Sequence, residues 1–150
     1  MAILGADGPS GSGWGLLVKI YLAARYSRHP EMQGYAKELE ALGHEVTSRW
    51  IWGNHQAQDD EILDPAKRER ALSFLHDDLD DLMEAEAIIA FTEEMRTPTR
   101  GGRHVEWGIA LALGLELYVV GPRENLFYLG EEVSQYDSFP ELIEAWRNDT

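Results

Sequence analysis

Ala87-Ile88-Ile89-Ala90-Phe91, a loop, and then Arg100-Gly101-Gly102-Arg103-His104-Val105-Glu106-Trp107-Gly108-Ile109-Ala110-Leu111-Ala112-Leu113-Gly114 decide how this chain folds. The first run is short and wholly apolar, and reads as a strand buried on both faces. Gly101 and Gly102 let the chain turn tightly, and an apolar helix follows at once and stops at Gly114. Strand, loop and helix in this order are the repeating part of a parallel sheet. Glu106 falls in the first turn of the predicted helix, where the helix N-terminus stabilises an anion. It also lies near the carboxyl end of a strand, where open α/β sheets place their ligand crevice. On position alone two readings stay open: an ordinary first-turn acid, or a functional carboxylate.

Working outward, Leu16 to Ala24 reads as the first strand, and Arg25-Tyr26-Ser27-Arg28 as the loop after it. Pro30 suits a helix start. Met32, Tyr35, Ala36, Leu39 and Leu42 recur at helical spacing, and Gly43 ends that helix. His44 to Ile51 alternates as a second strand, and Trp52 to Ile62 is polar and turn-like. Asp64-Pro65 opens a long helix, with Asp64 as N-cap. Leu72, Leu75, Leu79 and Leu82 form its apolar stripe, predicted to be its packed face. Leu117 to Val120 is the fourth strand, broken by Gly121-Pro122, and Arg123 to Tyr136 leaves room for a short fifth. Ser138 and Glu141 have capping-box spacing before a last helix through Leu142, Ile143 and Trp146. The pattern predicts one α/β domain over residues 16–150: a doubly wound parallel sheet of four to five strands with helices on both faces. Residues 1–15 read as a flexible lead. Gly11 and Gly13 precede the first strand, so they do not make a phosphate loop.

Composition narrows the function. The chain of 150 residues carries 27 Asp and Glu against 13 Lys and Arg, a net charge of −14. Such a chain repels polymeric nucleic acid, whereas a mononucleotide needs only a local anion site. There is no cysteine, which removes disulfides, thiolate chemistry and cysteine-held zinc. No histidine pair has the spacing of a helical metal site, and there is no serine elbow or Walker loop; neither a metal nor a cofactor is expected. No run is long and apolar enough to span a bilayer, and no signal peptide is evident. The expectation is a soluble, cytoplasmic protein without membrane partners.

Within the acidic run His76-Asp77-Asp78-Leu79-Asp80-Asp81, helical geometry turns Asp77, Asp80 and Asp81 away from the leucine stripe. Asp78 lies at its edge, three residues after Leu75 and four before Leu82. Partial desolvation there raises a carboxyl's pKa and suits it to general acid–base work; a capped edge aspartate is the plain alternative. Asp78 and Glu106 make a candidate pair for glycosidic-bond cleavage. Tyr21, in the first strand, can bond Glu106 if it faces the crevice. Tyr26 can stack on a flat ring; Trp50, Trp52 and Trp107 can stack or simply pack. Arg25, Arg28, Arg100 and Arg103 gather in adjacent loops, either as an anion site or as partners for the many acids. His104 is the histidine expected nearest the site.

Three blocks of the sequence together resemble the nucleoside 2-deoxyribosyltransferase family, which includes nucleoside 5′-monophosphate N-glycosidases. They are Ile20-Tyr21-Leu22-Ala23-Ala24, then Asp77-Asp78-Leu79 with Ala85-Glu86-Ala87-Ile88-Ile89-Ala90, then Gly102-Arg103-His104-Val105-Glu106-Trp107-Gly108-Ile109-Ala110. The resemblance implies a flavodoxin-like fold, a homo-oligomer, and a small-molecule nucleoside or nucleotide as substrate. It makes Glu106 the nucleophile that takes the sugar, Asp78 the residue that handles the base and its proton, and Tyr21 the holder of the nucleophile. Gly102 and His104 join the substrate-binding residues, and Asn125 matches an asparagine offered to the sugar by a neighbouring subunit. The transferases carry an aspartate six residues before the nucleophile, where this chain has Arg100. Loops that contact phosphate in the monophosphate hydrolases here carry Arg25 and Arg100, which favours a nucleotide. The competing expectations are a nucleotide-binding module without turnover and a purely structural protein.

Overall fold

A computed structural model describes residues 17–148; the flexible lead read at residues 1–15 lies outside them. Strands β1 (Lys19–Ala23), β2 (Glu45–Val46), β3 (Ala87–Phe91), β4 (Glu116–Val120) and β5 (Val133–Tyr136) form one sheet in the order β2-β1-β3-β4-β5. All neighbours run parallel. This is the flavodoxin-like doubly wound order. β3 is buried along its whole length, as its unbroken apolar sequence requires.

Helix α1 (His29–Ala41) joins β1 to β2, while α4 (Gly102–Leu113) joins β3 to β4 in the opposite direction across the sheet. Right-handed crossovers therefore put these helices on opposite faces. On the α1 face sits α5 (Phe139–Asn148), tied to α1 by Tyr35 stacked on Phe139 at 4.1 Å between ring centroids. On the other face α3 (Glu69–Glu84) packs beside α4. The strand order reverses between β1 and β3, which opens a crevice at their carboxyl ends.

The structure corrects several boundaries. The second strand pairs only at Glu45 and Val46. Beyond them the ladder stops because side chains take the backbone groups of Leu22: its N–H donates to Ser48 Oγ at 3.1 Å and its carbonyl accepts from Trp50 Nε1 at 2.8 Å. Residues Arg49–Trp52 then wind as a 3₁₀ turn. The polar stretch after it contains a short helix, α2 (Asp59–Leu63), closed by a reciprocal cap between Gln58 and Glu61. Asp64 does act as a cap, accepting from Ala66 N at 3.0 Å, but over the single turn Pro65–Lys67; the long helix starts at Glu69.

The largest correction concerns the face that α3 turns inward. Leu82 is buried, but Leu72, Leu75 and Leu79 are 47%, 49% and 36% exposed, as is Met83 at 69%. The stripe points outward, so Asp81, on the side away from it, is buried instead of solvated. Arg49 meets Asp81 there, donating from Nε at 2.9 Å and from its backbone N–H at 2.9 Å. A carboxylate can occupy that inner face because charge-assisted hydrogen bonds replace its water.

Candidate active site

Glu106 is the fifth residue of α4, one turn deeper than the predicted first-turn position. The loop before it uses Gly101 at φ +93°, a left-handed conformation suited to glycine. At this depth burial outweighs the helix dipole. The Glu106 carboxyl is pushed up to about 8, first by desolvation and then by the nearby Asp78 charge, although the Tyr21 hydrogen bond opposes both. Tyr21 is fully buried in β1 and its hydroxyl donates to Glu106 Oε2 at 2.7 Å. Burial and the Glu106 and Asp78 charges hold the Tyr21 phenol well above its ordinary range, so it stays a donor.

Above this pair lies a cavity of about 400 Å³ at the reversal of strand order. Asp78 enters it from the middle of α3, Glu106 from α4, and Arg25 and Tyr26 from the loop after β1. Arg100, Gly102, Arg103 and Trp50 complete the predicted residues that line it. Asp78 is pushed up to about 6 by burial, with Asp81 and Asp77 adding repulsion and His55 working against them. The site thus holds two carboxyls of unlike pKa, the arrangement that lets one act as base or nucleophile and the other as acid.

The arginines divide. Arg28 is spent on Glu31 and Glu93, at 2.8 and 3.0 Å. Arg25 is held more loosely, with Glu93 3.9 Å away, and Arg100, on the cavity wall, pairs with Asp59. Arg103 is buried, with Glu124 at 2.7 Å and Tyr128 at 2.8 Å. Arg103 is among the residues that line the cavity, and its buried Nε has no hydrogen-bond partner among the described residues. No side chain among the described residues caps α4, so its first-turn N–H groups, Gly102 among them, are open to an anion.

Two expected residues lie elsewhere. His104 bonds the Tyr128 hydroxyl at 3.0 Å, and Asn125 caps the turn Leu126–Tyr128 by accepting from Phe127 N at 2.8 Å. Neither lines the cavity. Trp107 is also away from it, stacked on Tyr128 at 4.6 Å. The histidine at the site is His55, not His104: its Nε2 lies 3.1 Å from Asp78 Oδ1 and its ring rests on Phe74 at 4.1 Å. His55 sits in a loop without periodicity, so its sequence carries no signal for this contact. Among the described residues no group of three His, Cys, Asp or Glu side chains is placed to hold a metal. No helix among them is long and apolar enough to cross a membrane.

The sequence matches no protein-family model and no curated protein.

Proposed function

We infer that this chain cleaves the N-glycosidic bond of a nucleoside or, preferentially, a nucleoside 5′-monophosphate, ribo or deoxy, through a covalent glycosyl-Glu106 intermediate. The observation that carries this reading is the Tyr21–Glu106 hydrogen bond of 2.7 Å at the floor of a cavity that also holds Asp78. A Glu106 carboxylate oxygen bonds the anomeric carbon as the bond from that carbon to the base breaks. The bonding pair stays on the base nitrogen, which takes a proton from Asp78. Water, or a second base, then attacks the same carbon. Glu106 leaves as carboxylate, and Asp78 recovers a proton from the attacker. Between about pH 6 and about 8 the two carboxyls hold one proton between them. The productive arrangement has that proton on Asp78.

A 5′-phosphate is supported by Arg25, Arg100 and the uncapped start of α4 around one cavity. Polymeric nucleic acid is disfavoured by the net charge of −14. The reading includes a homo-oligomer in which Asn125 serves a neighbour's cavity, in keeping with its position away from its own. It also includes a cytoplasmic location, in keeping with a chain free of cysteine.

The test is incubation with a panel of nucleosides and their 5′-monophosphates, followed by chromatography for free base. Base release that disappears in Glu106→Ala supports the reading. Release from no substrate, or equal release by Glu106→Ala, refutes it. A binding module without turnover is the second reading, favoured by the raised pKa of Glu106, which leaves the carboxyl largely protonated at neutral pH. It predicts saturable nucleotide binding, intact in Glu106→Ala, with no base released.

A further inference from the structure

We propose that Arg103 is the positioning residue of Glu106: its unbonded Nε–H is the donor that meets the Glu106 carboxylate when that group ionises. The proposal rests on the reading of Glu106 as nucleophile and adds the residue that readies it. Arg103 and Glu106 stand three residues apart on α4, which puts them on one face of the helix, and both line the cavity. The Arg103 side chain is only 3% exposed. Two of its three nitrogens are held. One terminal nitrogen donates to the Tyr128 hydroxyl at 2.8 Å, and the other lies 2.7 Å from Glu124 Oε1. The anchors are themselves fixed. Tyr128 is fully buried and stacked on Trp107, and its hydroxyl lies 3.0 Å from His104 Nδ1. The same Glu124 oxygen accepts the Glu93 N–H at 3.1 Å. The guanidinium is thus pinned along one edge, beside the nucleophile's helix turn.

That leaves Nε, which is sealed from solvent and has no hydrogen-bond partner among the described residues. A buried donor on a charged group is costly to leave unmade. A ligand in the cavity does not reach a sealed atom, so the acceptor has to come from the protein. Glu106 is the carboxyl on the same helix face, about one turn on. Protonated, it is a poor match for a guanidinium. Ionised, it is acceptor only and gains a charge-assisted bond. The contact is made in one protonation state and left open in the other. Electrostatics favour the same residue. Glu106 is faced by Tyr21 from β1, by Asp78 from α3 and by Tyr128 from the turn after β4. Tyr21 supplies a neutral donor, and a charged Asp78 opposes ionisation, whereas the Arg103 cation favours it. Arg25 and Arg100 also line the cavity, but their side chains are 38% and 70% exposed and lie beside Glu93 and Asp59. Solvent and pairing therefore screen them. Of the two carboxyls that share one proton, a buried positive charge on the Glu106 side leaves the proton on Asp78, which is the productive arrangement.

The experiment follows the Arg103 Nε–H by proton–nitrogen NMR in the full chain without ligand, through the titration of Asp78 near pH 6 and of Glu106 near pH 8. The signal is expected to move downfield with the midpoint of the Glu106 carboxyl, read by carbon-13 NMR on the same sample, and to stay flat in Glu106→Gln. A signal that is flat in the wild type, or that moves only with Asp78, overturns the proposal. Arg103→Met alone strands the buried Glu124 carboxylate, so it is made together with Glu124→Gln, and Glu124→Gln by itself is the control. In the double variant the Glu106 midpoint is expected to rise by about one pH unit, and base release at pH 7 to fall about tenfold with its pH profile displaced to match. In the control, which keeps the arginine, the midpoint does not rise. An unchanged midpoint in the double variant, or an equal rise in both, marks Arg103 as merely structural and overturns the proposal. If the double variant unfolds, the wild-type titration still decides. A chain that releases no base while Nε follows Glu106 refutes the glycosidase reading and supports this contact; base release with an unresponsive Nε does the reverse.

Discussion

Replacing Glu106 by Gln is expected to stabilise the fold, and by an amount that grows with pH. Gln keeps the shape of the side chain and an oxygen to accept the Tyr21 hydroxyl, so the change isolates the ionisation. In the folded chain the carboxyl titrates near 8, raised from an ordinary 4.5 by burial and by Asp78. A raised folded pKa means that the folded state holds the proton while the unfolded chain releases it. Stability from this group is therefore complete below pH 4.5 and is lost as pH rises through the folded value of about 8. At about 1.4 kcal/mol per pKa unit, the wild type falls behind Gln by about 1 kcal/mol at pH 5, about 3 at pH 7 and between 4 and 5 at pH 9. For a chain of this size each kcal/mol moves the melting temperature by about 2–4 °C. Paired melting curves of the two proteins across that pH range, without ligand, measure the gap directly; ionisations common to both largely cancel. A gap that stays constant with pH, or a Gln variant that melts below wild type at pH 8, would show that Glu106 is not held in a desolvated site. The account of Glu106 as a carboxyl that burial keeps protonated at neutral pH would fall with it.

Tyr21→Phe removes the hydroxyl that donates to Glu106 and should raise the carboxyl's pKa further. Base release at pH 7 is expected to fall roughly 10- to 100-fold, the worth of a hydrogen bond to a charged group, and a pH–rate profile that keeps its position contradicts this. His55→Leu takes away a neighbour that lowers Asp78 by both charge and hydrogen bonding, so the Asp78 carboxyl, followed by carbon-13 NMR, should titrate above about 6; an unchanged or lower midpoint refutes the pairing. Gly121→Ala places a Cβ 2.6 Å from Thr92 Oγ1 at a residue with φ +115°. It should cost roughly 2 kcal/mol or more in urea unfolding, and a loss below 0.5 kcal/mol would mean that the turn after β4 is not held as described.

Much of the site was legible because local chemistry and local pattern agreed. β3 is an unbroken apolar run, and Gly101 and Gly114 bound α4 as the turn and stop signals require, so the place of Glu106 at the crevice followed from the sequence within one helical turn. Tyr21 was legible as a buried hydroxyl in need of a partner, and Asp78 as the aspartate at the boundary between two helix faces. Periodicity located that boundary but carried no sign. The same stripe of leucines serves a core-facing or an outward-facing helix, and Asp81 is accommodated on the inner face of α3 because Arg49 reaches it.

The alternation of strand and helix, the parallel sheet that alternation forces, and the two carboxyls as candidates were all readable before any packing was known. Hydrophobic period and turn chemistry act over a few residues, and a few residues suffice to read them. Packing alone settles which arginines are already neutralised, that His55 and not His104 stands beside Asp78, and which way α3 faces. Those are matters of distance between segments far apart in the chain. Burial and charge pairing there depend on the neighbours that packing supplies, and no local pattern records them.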